Sequence, residues 1–238
     1  MQKNKKYLNS EVNINVDSIP VDLVHHTKFL GVYIDSKLNW NKHVDHVASK
    51  VAKNIGVITR ARKVLDKKTL TGLYYTFIYP YLNYCCTVWG SCSITHISKL
   101  LVLQKRIVRI ICGKPRLSPS LELFKSLKIL PVKELQEFKL SIFCFKFKHQ
   151  KLPSIFDDFL TNISDIHSHE TRASEAHELY IHTPRTCYGQ NAVRYQAPFT
   201  WNSLGSLLCS ISCYKTFKRN TIDQLLHSYE RRNNSEIV

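Results

Sequence analysis

A chain of 238 residues that is 44% hydrophobic can bury the core of one large domain or two small ones, which excludes wholesale disorder. Lysine and arginine number 34 against 18 acids, and the resulting charge of +16 favours polyanionic partners, nucleic acid or an anionic membrane face. Only seven glycines occur and neither GxGxxG nor GxxxxGKS/T is present, which argues against a glycine-rich nucleotide-binding fold.

The opening MQKNKKYLNS has no apolar h-region, and no run approaches the roughly 18 apolar residues of a spanning helix. The expectation is an intracellular protein without a membrane partner, nucleus or cytoplasm undetermined. The cysteines, Cys85, Cys86, Cys92, Cys112, Cys144, Cys187, Cys209 and Cys213, read as free thiols of a reducing compartment.

Residues 11–34 read as strand. Val12, Ile14 and Val16 alternate in VNINV, Asp17-Ser18 suits a turn, and Pro20 suits a strand start or an edge. VDLV and KFLGVYI supply the next strands. From residue 41 the apolar period lengthens. Val44, Val47, Val51, Ile55 and Ile58 make one face of a helix over 41–64, with Lys42, His46, Lys50, Lys53 and Arg60 opposite.

Asp66 suits the cap of a helix over 67–90, whose apolar side holds Leu70, Leu73, Tyr74, Phe77 and Ile78, and which Pro80 should kink or break. A third helix, 94–112, sets Ile97, Leu100, Leu101, Ile107, Val108 and Ile111 against Lys99, Lys105, Arg106 and Arg109, and ends at Gly113 and Pro115. LSPSLELFKSLKIL is a short helix, and Pro131 opens another over 131–150. TNISDIHSHETRASEAHE, residues 161–178, is polar and aperiodic, a linker or loop. LYIHTPRTCYGQ suggests a small hairpin, followed by short helices near 190–204 and 213–229.

The expected fold class is mainly α with a small N-terminal antiparallel β element and a smaller C-terminal α/β-hairpin region. The expected divisions are 1–40, 41–160, 161–178 and 179–238.

The charge is concentrated. No acid lies between Asp66 and Glu122, a window holding Lys67, Lys68, Lys99, Lys105, Arg106, Arg109, Lys114 and Arg116. Between Asp45 and Asp66 lie Lys50, Lys53, Arg60, Arg62 and Lys63. Phosphate contacts made by such groups release counterions, so affinity should fall steeply with salt. Tyr74, Tyr75, Tyr79, Tyr81, Tyr84 and Trp89 interleave with these cations, but aromatics at helical spacing mostly fill the core.

Catalytic patterns are weak. Asp157-Asp158 invites a two-metal polymerase reading, but such centres gather carboxylates from separate strands, and these acids read better as dipole partners near a helix start. His167, His169, His177 and His182 with Glu170 lack zinc-finger or HExxH spacing and suit a titratable surface loop. Cys209 and Cys213 with His227 match no standard cluster, and Cys85, Cys86 and Cys92 suit apolar packing. No GxSxG elbow occurs. No small-molecule substrate is evident.

Four blocks carry a resemblance. KFLGVYIDSKLNWNKHVDHVASKVAKNIGVITRARKVL, TLTGLYYTFIYPYLNYCCTVWG, LQKRIVRIICG and TRASEAHELYIHTPRTCYGQNAVRYQAPFTWNSL follow one another in the order seen in non-LTR, jockey-like LINE reverse transcriptases. The resemblance implies the C-terminal part of an RNA-directed DNA polymerase from a mobile element: a palm remnant over 1–40, a thumb over 41–160 and a following helical region. In that family the metal-binding acids sit in a palm strand and an F/YxDD turn that no stretch here matches, so magnesium would belong to the absent palm and no cofactor is expected. The family's WN.LP reads WNSLG here, with Gly205 in place of proline.

The implied function is backbone binding to RNA, DNA or a hybrid without polymerase activity. Lys50, Lys53, Arg60, Lys105, Arg106 and Arg109 are the expected phosphate contacts. The alternative is a non-enzymatic helical interaction protein or a retrotransposon relic.

Overall fold

The computed structural model describes residues 14–166 and 178–235, with side chains in the last helix described as far as residue 233. The strands are β1 (Asn15–Val16), β2 (Ile19–Pro20), β3 (His26–Phe29) and β4 (Val32–Asp35). The helices are α1 (Asn41–Ala61), α2 (Lys67–Phe77), α3 (Tyr79–Asn83), α4 (Cys86–Trp89), α5 (Ile94–Ile111), α6 (Leu121–Leu127), α7 (Val132–Lys148), α8 (Cys187–Gln190), α9 (Val193–Asn202), α10 (Ser206–Cys209) and α11 (Tyr214–Ser235). The fold is mainly α, with β1–β2 and β3–β4 forming two separate antiparallel pairs on the N-terminal side.

The β element departs from expectation in detail. VNINV reaches strand geometry only at Asn15–Val16, Val12 lies outside the described residues, and VDLV forms no strand. KFLGVYI is two strands rather than one: Leu30 (φ 44°) and Gly31 (φ 83°) form a two-residue turn, with Phe29 opposite Val32. Positive φ at both central residues is the mark of a type I′ hairpin turn, whose twist matches its strands. The Tyr84 hydroxyl donates to Leu30 O at 2.5 Å and its ring lies against Gly31, which fastens this turn to the helices.

Helix α1 buries the expected stripe of Val44, Val47, Val51, Ile55 and Ile58. The turn into it is organised by Asp35, whose carboxylate accepts from Lys37 N (3.0 Å), Asn39 N (3.0 Å) and Trp40 N (2.8 Å). Asp66 caps α2 by accepting from Thr69 N at 3.1 Å, as its residue type predicts.

The helix expected over 67–90 is three helices. Proline's ring excludes the carbonyl four residues back, and the path breaks at Ile78 (φ −110°), two residues before Pro80. It breaks again at Cys85, whose φ is 49°. This second break lets the Trp89 indole donate to Tyr84 O at 2.7 Å while its ring stays fully buried.

Helix α7 is the centre of the assembly. It buries Leu135, Phe138, Leu140, Ile142 and Phe145 around much of its circumference, the signature of a helix packed on several sides. Its start meets α4 at Gly90, where an added Cβ would collide with Cys86 O and come within 2.8 Å of the Gln136 side chain. With its nitrogen toward Gly90, the Gln136 amide donates to Gly90 O (2.9 Å) and accepts from Ser91 N (3.1 Å).

Helix α11 runs antiparallel to α7. Phe145 stacks on Phe217 near the start of α11, and Glu134 meets Arg232 near its end at 2.7 Å. One hydrophobic core extends from Val44 to Tyr229.

The expected hairpin in LYIHTPRTCYGQ does not form. Leu179 instead bridges to Asn162, and the Asn202 side chain satisfies both of its backbone groups, donating to Leu179 O (2.8 Å) and accepting from Leu179 N (2.9 Å). Gly205 adopts φ 83° and ψ 156°, a backbone region open essentially to glycine alone. Proline, locked near φ −65°, cannot take that conformation.

Candidate nucleic-acid interface

Helices α1 and α5 lie side by side in the same direction. At their starts Lys99 Nζ meets Asp45 Oδ1 at 3.1 Å. Just beyond their ends, a Cβ on Gly113 would lie 3.9 Å from the Arg62 guanidinium. The intervening α2 returns along α1, with Asn54 donating its amide to Phe77 O at 2.6 Å. The parallel arrangement carries the basic C-terminal ends of both helices, Arg60 and Arg62 on one and Arg106 and Arg109 on the other, to the same end of the pair. Cations there also complement the partial negative charge of both helix termini.

Of the expected phosphate contacts, Lys50, Lys53, Arg60 and Arg106 are exposed, while Lys105 and Arg109 are half-buried. The structure thus brings cations of both helices onto one bundle, but Arg109 is partly committed: its Nε donates to Ser118 O at 2.7 Å. Lys99, a cation of the same α5 face, is neutralised by Asp45. Lys99 and Arg106 are two helical turns apart and share a line on α5, so the face is charge-paired at one end and cationic at the other.

A second basic group adjoins Lys50. Lys28 Nζ lies 5.8 Å from the centroid of the Tyr33 ring, and that ring packs on His46 at 5.1 Å. Burial, then Lys50 and Lys28, hold the His46 imidazole below its ordinary pKa. Sequence periodicity placed His46 beside Lys50, but Lys28 reaches this position through the β-hairpin, which periodicity does not encode.

Several residues of the resembling blocks are joints of the fold. His43 is buried; its Nδ1 accepts from Tyr33 N at 3.4 Å and its ring meets Trp89 at 5.5 Å, edge to face. Accepting at Nδ1 places the proton of the neutral ring on Nε2, which finds no partner among the described residues. Burial, reinforced by His46, pushes the His43 pKa down to about 4. Tyr74 and Trp89 are core residues, whereas Tyr75, Tyr81 and Tyr84 remain exposed.

Asp157 and Asp158 do not sit at a helix start. They follow a single 3-10 turn, Ser154–Phe156, and both are exposed. They share a cleft of about 700 Å³ with Asp165, which is engaged by Asn162 (2.9 Å) and Ser164 (3.3 Å). Among the described residues no group of three His, Cys, Asp or Glu side chains is placed to hold a metal ion, so this set does not fit the magnesium centre of a polymerase. His167, His169, His177 and Glu170 lie outside the described residues. No described helix is long and apolar enough to cross a membrane.

These features define a mainly helical protein with a basic, parallel helix pair on its surface. The chain is 28% identical over 123 residues to a probable RNA-directed DNA polymerase from transposon X-element of Drosophila melanogaster, covering 50% of this chain and 13% of the relative. It is 30% identical over 94 residues to the RNA-directed DNA polymerase from mobile element jockey of Drosophila funebris, covering 38% of this chain and 10% of the relative. The jockey polymerase of Drosophila melanogaster matches at 28% over 111 residues, 44% of this chain and 12% of the relative.

The resemblance to non-LTR retrotransposon polymerases is therefore borne out, at modest identity and over about 40–50% of the chain. The chain spans about an eighth of the length of these relatives. No family model matches, and no solved structure matches.

Proposed function

We propose that this chain is a reverse-transcriptase-like segment that grips the sugar-phosphate backbone of a nucleic acid along α1 and α5, as a thumb grips template and primer. The observation that carries this reading is the alignment of Lys53, Arg60 and Arg106 on the exposed side of two parallel helices, with no acid between Asp66 and Glu122. Backbone contacts fix position without reading bases, which needs cations outside and an apolar seam inside. Residues 1–40 serve in this reading as the end of a palm, and 41–160 as the thumb. In this reading the segment itself supplies no carboxylates for polymerase chemistry.

Titration of an RNA–DNA hybrid at several salt concentrations tests the reading. Micromolar or tighter binding with a steep salt slope is expected; no binding at low salt removes it. Primer extension in magnesium should show no incorporation, and incorporation above background would overturn the division of labour.

One observation favours a second reading, a helical interaction protein. Residues 14–30 are exposed throughout and include Ile14, Val16, Ile19, Leu23, Phe29 and Leu30. An exposed apolar hairpin with open edges pairs with another chain. Concentration-dependent self-association would support this reading, and a monodisperse monomer would remove it.

A further inference from the structure

A cleft of about 270 Å³ with no lining residue from α1 or α5 opens between α2–α3, α7 and α11, with Tyr74, Tyr75, Tyr79, Lys128, Phe138 and Lys218 among its walls and no carboxylate lining it among the described residues. We propose that this cleft holds one unpaired nucleotide of a single strand, its base against Tyr75 and Tyr79 and its phosphate between Lys128 and Lys218. The inference rests on the nucleic-acid reading above but concerns a different surface and a different ligand form.

The tyrosine wall is built rather than incidental. Tyr75 and Tyr79 stand 5.4 Å apart between centroids at 57°, and Tyr75 remains 43% exposed, with ring surface open to a ligand. The Tyr75 hydroxyl donates to Lys128 O at 3.3 Å, which ties the ring to a residue that also lines the cleft. Lys128 itself ends α6 in a left-handed conformation, φ 51°, so its backbone is held at the rim.

The charge at this cleft lacks a counterion among the described residues. Lys139 on α7 is half-buried; burial pushes its ammonium below the ordinary lysine range, the Cys86 sulfur works the other way, and Lys218 and Lys146 push it down further. Lys215 and Arg219 are exposed on the same helix as Lys218. Lys128 and Lys218 are the two cations that line the cleft, and ammonium groups beside a low-dielectric wall attract an anion. Aromatic faces add stacking that every nucleobase accepts and an acidic peptide lacks. The volume lies below the range of drug-sized pockets, roughly 300–1,000 Å³, and suits one nucleotide.

The test measures binding of two probes, a fluorescent oligo-dT strand and a blunt RNA–DNA hybrid, to the full chain. The Y75A/K218E variant should weaken oligo-dT roughly five- to hundredfold while leaving hybrid affinity unchanged. K53E/R106E should do the reverse. Thermal melting checks folding of each variant; should Y75A unfold the protein, K218E alone, at an exposed position, gives the same comparison.

Unchanged oligo-dT affinity in the Y75A/K218E variant overturns the proposal, as does equal loss for both probes. Polyglutamate that binds wild type as tightly as oligo-dT and responds equally to Y75A also overturns it. Hybrid binding that depends on Lys53 and Arg106, with oligo-dT insensitive to Tyr75 and Lys218, removes this inference alone. Failure of wild type to bind either probe removes the underlying reading with it.

Discussion

Asp45 and Lys99 meet at 3.1 Å and neutralise one end of the α1/α5 face, while Arg60 and Arg106 farther along carry no carboxylate partner among the described residues. The ion pair is exposed, and such pairs contribute about 0–1 kcal/mol, so its importance is where it leaves the field unbalanced.

Charge reversal should therefore be unequal along this face. K53E or R106E should weaken hybrid binding alike for all sequences and lower the salt slope by about one per lost phosphate contact. K99E, which removes an already paired charge, should change the slope least. Fluorescence anisotropy across a salt series checks the order, and an equal response at all three positions would count against a localised grip.

His43 predicts a stability loss in acid. Its pKa in the fold, about 4, lies below the ordinary 6.5, so the folded state binds its proton less readily than the unfolded chain. The contribution is fully present above pH 6.5 and is lost as pH falls toward 4, by about 1–3 kcal/mol. Urea unfolding at pH 7.5 and 4.5 measures this, and H43Q should flatten the difference. An unchanged difference in H43Q would assign the acid sensitivity elsewhere.

Glu134 has the opposite sign. Burial pushes its carboxyl up to about 7, with Arg232 at 2.7 Å pulling it back. A raised carboxyl pKa favours the protonated form in the fold, so its contribution is complete below pH 4.5 and is lost as pH rises through 7. E134Q, which keeps an acceptor for Arg232 without a charge, should gain on wild type by about 1–3 kcal/mol between pH 5 and 8. Equal pH dependence in both proteins would show that Arg232 holds the carboxylate ionised throughout.

Three glycines should respond differently to alanine. Gly90→Ala drives a methyl against Cys86 O and Gln136, and should cost about 1–3 kcal/mol. Gly205→Ala meets open space but a backbone conformation open essentially to glycine, and should cost about 1–3 kcal/mol. Gly56→Ala, inside α1 with nothing within 4 Å, should stabilise by about 0.5–1 kcal/mol. Chemical denaturation of the three variants checks the ranking, and a gain at Gly90 would contradict the packing described at α4.

Much of this was legible in the residues themselves. The stripe of Val44, Val47, Val51, Ile55 and Ile58 specifies a helix with one buried face, because apolar side chains at that period gather on one side of a helix. Asp66 announces its own cap, since its oxygen reaches a backbone donor three residues on. The excess of cations over 50–116 is likewise a property of the chain before it folds. Each of these depends on interactions a few residues long.

Other features required residues far apart in the chain to meet. The turn at Leu30-Gly31 is fastened by Tyr84, and the role of Asn202 is defined by Leu179, so neither pattern carries its partner's position. The expected hairpin at 179–190 failed for that reason: a side chain from α9 supplied the hydrogen bonds that a second strand would have offered. The cleft that joins Tyr75 to Lys218 likewise exists only because α11 packs antiparallel on α7. Local periodicity determined which surfaces of this protein are apolar and which are basic; long-range packing decided which basic surfaces face the same way, because direction between helices is set by their contacts and not by the composition of either one.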